Sequence, residues 1–199
     1  MNRIIHARIN GADYTFETTD ACFSPRYVDR GTLALLSRVT INPGDKLLDL
    51  GCGYGVAGIA AAAFTDPANV YMSDTDAEAL ACAYANAQKN GAGGVHIILS
   101  DAYDGLDEAG FDVILSNPPY QTDFSTPKKF IEKGFNRLKL GGRFYMVTKR
   151  KTWYKNKFIS VFGGVTITEI DGYFVFEAEK RGCNYANDKI SRKKRPVCD

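Results

Sequence analysis

Residues 46–56, Lys46-Leu47-Leu48-Asp49-Leu50-Gly51-Cys52-Gly53-Tyr54-Gly55-Val56, run from a short apolar stretch through a turn with glycine at every second position into a small-residue segment. This reads as a buried strand, Lys46 to Leu50, and a helix, Val56 to Phe64, which Asp66-Pro67 stops. The same alternation continues downstream. Val70 to Ser73 is a strand, Asp76 caps an Ala-rich helix that runs to Asn90 and closes at Gly91, and Val95 to Leu99 and Phe111 to Leu115 are strands. A helix from about Pro127 to Leu138 ends at Gly141-Gly142, Arg143 to Val147 is the next strand, and Thr152 to Phe162 is a basic helix. Thr166 to Ile170 and Tyr173 to Ala178, joined by Asp171-Gly172, form a final hairpin. Upstream, Asn10-Gly11 marks a small hairpin turn, and Asp29 to Val39 is a helix ended by Asn42-Pro43-Gly44. Strands alternating with helices predict an α/β fold with a parallel sheet covered on both faces and an antiparallel edge from the last hairpin.

The 199 residues suit one domain, expected over 1–180, with 1–40 packing on it as an extension and 181–199 as a basic tail. With 45% hydrophobic residues, 24% charged residues and a formal net charge of +2, the composition is globular and excludes disordered or fibrous classes. The charge is uneven: 143–157 holds basic residues and no acid, and the tail carries Lys180, Arg181, Lys189, Arg192, Lys193, Lys194 and Arg195. Such blocks suit a polyanion. The spacing of Cys22, Cys52, Cys82, Cys183 and Cys198, with only His6 and His96 to join them, suits neither a disulfide framework nor a zinc site. No signal-like leader and no stretch long enough to span a membrane occurs, so the cytoplasm is expected and neither membrane nor metal is implied.

In an open parallel sheet, ligands bind beyond the carboxyl ends of the strands. Gly51, Gly53 and Gly55, with Cys52 between them, let the backbone approach a ligand there, and Asp49 can accept from an ammonium group or from the loop. Asp74, followed by Thr75, stands at the end of the second strand of the alternation, where a carboxylate can receive both hydroxyls of a ribose. Asp101, followed by Ala102, stands after the third and can accept from an adenine amino group. A dinucleotide fingerprint would place Gly or Ala where Val56 stands. S-adenosylmethionine has a ribose, an adenine amino group and a charged amino-acid end but no pyrophosphate. Three separated carboxylates therefore suit it better than they suit NAD.

Asn117-Pro118-Pro119-Tyr120 directly follows the fourth strand of the alternation. Two prolines remove two donors and stiffen the turn, leaving carbonyls and the Asn117 side-chain oxygen as acceptors. Acceptors of that kind hold a planar NH2 and free its lone pair for in-line attack on a methyl group. Tyr120 can stack on a base. Together the two motifs predict amino-group methylation, with Asn117 bordering both the cofactor and the reacting nitrogen.

In these residues the chain resembles the class I S-adenosylmethionine-dependent methyltransferases. Within them it is similar to the small-methyltransferase family that includes the ribosomal small-subunit RNA guanine-N2 methyltransferases of type C, in a compact single-domain form. The likeness rests on Phe23-Ser24, Asp29-Arg30-Gly31-Thr32, the glycine loop, Asp74, Asp101, Ser116 to Tyr120, and Phe162-Gly163-Gly164 before Gly172-Tyr173. It implies a Rossmann-like seven-stranded sheet with an antiparallel last strand, and brings Asp29 and Thr32 into the cofactor pocket. Relatives often carry His or Arg shortly after the two prolines, where this chain has Gln121.

Guanine, adenine and glutamine side chains all present a planar NH2, so the turn does not choose among them. Lys149, Arg150, Lys151, Lys155 and Lys157, interleaved with Trp153 and Tyr154, look like a phosphate-tracking surface with stacking partners and favour RNA, ribosomal RNA or the small ribosomal subunit. An adenine or protein-glutamine methyltransferase, a non-catalytic RNA-binding factor and, more distantly, an NAD oxidoreductase are the alternatives.

Overall fold

The structure, a computed structural model, describes residues 3–119 and 123–186. Tyr120, Gln121 and the tail from 187, with Lys189, Arg192, Lys193, Lys194, Arg195 and Cys198, lie outside the described residues.

A hairpin, β1 (Arg3–Ile9) and β2 (Ala12–Thr18), comes first, followed by α1 (Arg30–Leu36). The alternating body then runs β3 (Leu47–Leu50), α2 (Val56–Ala61), β4 (Val70–Asp74), α3 (Ala77–Lys89), β5 (His96–Leu99), β6 (Phe111–Ser116), α4 (Ser125–Arg137) and β7 (Leu138–Thr148). It closes with α5 (Thr152–Phe162), β8 (Thr166–Ile170) and β9 (Tyr173–Glu179). The seven-stranded sheet has the order β5-β4-β3-β6-β7-β9-β8, parallel from β5 to β7, with β9 antiparallel to both its neighbours.

The last hairpin supplies the antiparallel edge expected of it, folding back so that β9 lies inside the sheet and β8 forms that edge. One expectation changes. Gly141-Gly142 does not end α4, which stops at Arg137; both glycines belong to β7. Their role is close approach: Gly141 N–H donates to Lys180 O at 2.9 Å, Lys180 N–H donates back to Gly142 O at 2.9 Å, and a Cβ on Gly142 would meet Phe111 O at 2.7 Å.

The sheet is buried on both faces, which is why its central strands are apolar runs rather than alternating ones. Along β3, Leu47 joins the core under α1, α2 and α3, while Leu48 and Leu50 join the core under α4 and α5. Period two therefore turns Asp49 toward α2. Cys22, Cys52 and Cys82 are free thiols, whereas Cys183 is disulfide-bonded, a pairing its sequence spacing did not announce.

The hairpin is held to α3 by two asparagines. Asn86 accepts from Glu17 N–H at 2.6 Å and donates to Glu17 O at 2.9 Å and to Tyr54 O at 3.0 Å. Asn90 accepts from Thr15 N–H at 3.0 Å and donates to Thr15 O at 2.9 Å. Four helical residues rise about 6 Å and two strand residues about 6.7 Å, so the two amides meet alternate residues of β2 and stand in for a neighbouring strand.

Candidate cofactor and substrate site

Strand order reverses at β3, whose neighbours are β4 on one side and β6 on the other. Leu50 pairs with Ser116 in the register of β3 and β6, so Gly51 and Asn117 leave the sheet side by side. Ser116 Oγ donates to Leu50 O at 2.9 Å and ties the two strand ends together.

The glycine loop folds over the end of β4. Gly51 and Cys52 N–H donate to Ser73 O at 2.8 and 3.0 Å, Gly53 N–H donates to Asp74 Oδ2 at 2.8 Å, and Gly55 N–H donates to Cys52 O at 2.9 Å. Gly55, at φ +95, takes a backbone conformation that disfavours side chains, and a Cβ there would crowd Ile59 and Met72 at 3.0 and 3.1 Å. These donors are spent within the protein. The three glycines and Cys52 therefore offer no N–H group to a pyrophosphate.

What the site offers instead is negative charge. Asp49, Asp74, Asp29 and Asp101 all border one cavity of about 410 Å³, together with Thr32, Gly51, Cys52, Gly53, Thr75, Ala102, Asn117 and Pro119. Asp49 is 3% exposed and accepts from Gly58 N–H at 2.7 Å. Burial pushes its carboxyl up to about 7; the Gly58 hydrogen bond opposes this and the charge of Asp74 adds to it. Asp74 accepts from Gly53 at Oδ2 and from Asp76 N–H at Oδ1, 3.1 Å away. A carboxylate has about four acceptor sites, so room for two hydroxyls remains. Asp101 sits at the exposed rim, paired with Lys129 at 2.9 Å. Ser73 Oγ is buried, has no hydrogen-bond partner among the described residues, and belongs to a residue that lines the cavity. Burial raises the Cys52 thiol well above its ordinary range, so it stays neutral.

At the other wall, Asn117 Nδ2 donates to Asp29 Oδ2 and to Thr32 Oγ1, each at 2.9 Å. Asp29 Oδ2 also accepts from Thr32 N–H at 3.0 Å and so caps α1. A carboxylate can only accept, so the amide nitrogen must face Asp29 and the amide oxygen must face away from it. Asp29 and Thr32 thus join the site by holding Asn117. Pro118 is buried and does not line the cavity, while Pro119 does. Sequence reading missed Leu35, Ser73, Ser100, Thr126 and Phe130 in the lining. Phe130, on α4, would touch a Cβ at Gly51 at 3.7 Å, a contact between distant segments that no local pattern announces.

Beyond β7, the expected stacking pair is only partly available. Tyr154 is 3% exposed and packs on Phe176, so it belongs to the core. Trp153 stacks on Phe124 at 4.4 Å.

An open sheet with this reversal, an acid-lined glycine turn and an amide acceptor beside it define an S-adenosylmethionine-dependent methyltransferase. The chain belongs to the methyltransferase small domain family, whose profile matches residues 13–177. It is 29% identical over 181 residues to uncharacterized protein YbxB of Bacillus subtilis, covering 87% of this chain and 89% of that one. It is 34% identical over 146 residues to ribosomal RNA small subunit methyltransferase C of Mannheimia succiniciproducens, covering 71% of this chain and 43% of that one. Among solved structures it matches a T. thermophilus 16S rRNA N2 methyltransferase in complex with AdoMet and guanosine, at TM-score 0.82 and 28% identity, covering 90% of this chain and 51% of that one. The chain spans about half the length of these ribosomal RNA methyltransferases.

The cavity fits the cofactor on the structure's own terms. S-adenosylmethionine brings a methyl group already activated on a positively charged sulfur, and the buried Asp49, short of a countercharge, suits its cationic end. Asp74 and Asp101, which border the same cavity, would be the residues to receive the ribose and the adenine amino group.

Proposed function

We propose that the protein methylates the exocyclic amino group of a guanine in RNA, in the cytoplasm, with ribosomal RNA of the small subunit as the favoured substrate. The observation that carries the reading is the pinned amide of Asn117, held at 2.9 Å by both Asp29 and Thr32 at the strand end beside the glycine loop. Support for guanine comes from the guanosine in the T. thermophilus relative's structure and from the names of the ribosomal RNA methyltransferases.

In this reading Asn117 Oδ1 accepts one hydrogen of the target amine, and the turn of Pro118 and Pro119, which has no N–H of its own, offers only acceptors for the other. Both contacts draw the nitrogen toward a pyramidal shape and aim its lone pair into the cavity. The cofactor, when bound, would supply the methyl group, its C–S bond yielding as the N–C bond to the amine forms. The newly substituted nitrogen is strongly acidic and sheds its proton to water, so no side-chain base is required. A target base inside a duplex would have to be extruded to reach the turn.

The test is incubation with methyl-labelled cofactor and total RNA, before and after ribosome assembly, followed by mass spectrometry of the nucleosides. N2-methylguanosine is expected. Label in adenosine or in a glutamine side chain would replace this reading with the adenine or protein alternative. Asn117→Ala should lose at least about a hundredfold in turnover, the scale of one transition-state donor or acceptor, while binding cofactor with near wild-type affinity by calorimetry.

A further inference from the structure

The geometry points to Lys149, Arg150, Lys151 and Lys155 as the surface that grips the phosphates of the substrate RNA; this rests on the RNA reading above. Most lysines of the described surface have a carboxylate. Lys46 pairs with Glu108, Lys89 with Glu17, Lys129 with Asp101 and Asp104, Lys133 with Asp104, Lys139 with Asp112 and Lys157 with Glu132. The expected patch therefore loses Lys157 to Glu132. Lys149, Arg150, Lys151 and Lys155 are exposed, and among the described residues none has an acidic partner.

Three of the four are also placed rather than loose. Lys149 Nζ lies 4.9 Å from the Tyr173 ring, the Arg150 guanidinium 5.3 Å from the Phe124 ring and Lys151 Nζ 5.0 Å from the Phe174 ring. An aromatic face orients a cation without neutralising it, so the charge stays available. The start of α5 runs against local preference as well: Lys151 occupies the cap position, no side chain caps the helix, and its first turn holds no acid. Cations at the positive end of a helix are unfavourable. Local rules broken together are expected where a ligand restores the balance, and here that ligand is anionic.

Position selects a polyanion bound in front of the site. β6 and β7 are parallel, with Ser116 level with Met146, so Lys149 to Lys151 leave the sheet at the same carboxyl ends of its strands as Asn117. Phe124, under Arg150, begins α4 a few residues beyond that turn. A strand of RNA with its base at Asn117 would carry its neighbouring phosphates across this patch.

The test measures binding of a fluorescent single-stranded RNA of about 20 nucleotides to the full chain between 50 and 200 mM salt, for the wild type and for K149Q/K151Q/K155Q. Three lost phosphate contacts should reduce the slope of log K against log salt by about 2 and raise the RNA KM at least about tenfold, with cofactor affinity unchanged by calorimetry. K149R/K151R/K155R should restore the slope. An unchanged slope in the glutamine variant, with the wild type methylating RNA, would overturn the patch alone. A wild type that binds this RNA without salt dependence, or methylates a peptide instead, would overturn the RNA reading beneath it.

Discussion

In the proposed reaction two aspartates divide the site's electrostatic work between them. Asp29 acts through Asn117, so Asp29→Ala should lower kcat at least about tenfold while cofactor affinity changes little. Asp29→Asn keeps an acceptor for the Asn117 amide and should recover part of the loss, which steady-state kinetics would show as a kcat effect without a matching KM effect. Asp49 acts through its own charge. Its carboxyl rises to about 7 in the folded protein and stands at about 3.9 when unfolded, so between those values only the native state holds the proton. The group therefore stabilises the fold as pH falls through 7, fully so below about 4, and that contribution is lost as pH rises. Binding of a cationic ligand has the opposite sense. Cofactor affinity should climb with pH through 7, by at most about tenfold per unit, and Asp49→Asn should flatten the curve in calorimetry at pH 6, 7 and 8.

The elements carry the same logic at longer range. Asn86→Ala would leave the Glu17 N–H, the Glu17 carbonyl and the Tyr54 carbonyl without a partner. Orphaned buried groups cost about 1–3 kcal/mol each, so chemical denaturation should show a loss of at least about 2 kcal/mol. Nothing in a single stretch of sequence announced this clamp, because Asn86 and β2 are brought together only by the tertiary fold. The position of β9 was hidden for the same reason: its hairpin was legible in Asp171-Gly172, its neighbour was not. By contrast the strand end at Leu50, the ends at Asp74 and Ser116 to within one residue of the Ser73 and Leu115 expected, the cap at Asp76 and the glycine turn were legible, since each depends on residues within a few positions of itself. Gly141-Gly142 misled because a pair that permits close strand approach looks, in sequence, like a helix stop.

For the molecule as a whole, the cavity is a product of connectivity. The glycine turn and Asn117 are 66 positions apart in sequence, like Leu50 and Ser116, which the register of adjacent strands sets level. A ligand bound there lies against β3, β4, α1, α2, α4 and the turn after β6 together and should stabilise the domain as one body. At a hundred times Kd the gain is about 2.7 kcal/mol, and S-adenosylmethionine should raise Tm by roughly 5–10 °C in a thermal scan. The third bond of Asn86, to the Tyr54 carbonyl of the glycine turn, adds a consequence of its own. One fastener serves both the amino-terminal hairpin and the turn that receives the ligand, so peeling away the first loosens the second. By reciprocity, occupancy of the cavity must hold the hairpin down, and the backbone amides of β2 should exchange with solvent deuterium more slowly when the cavity is filled.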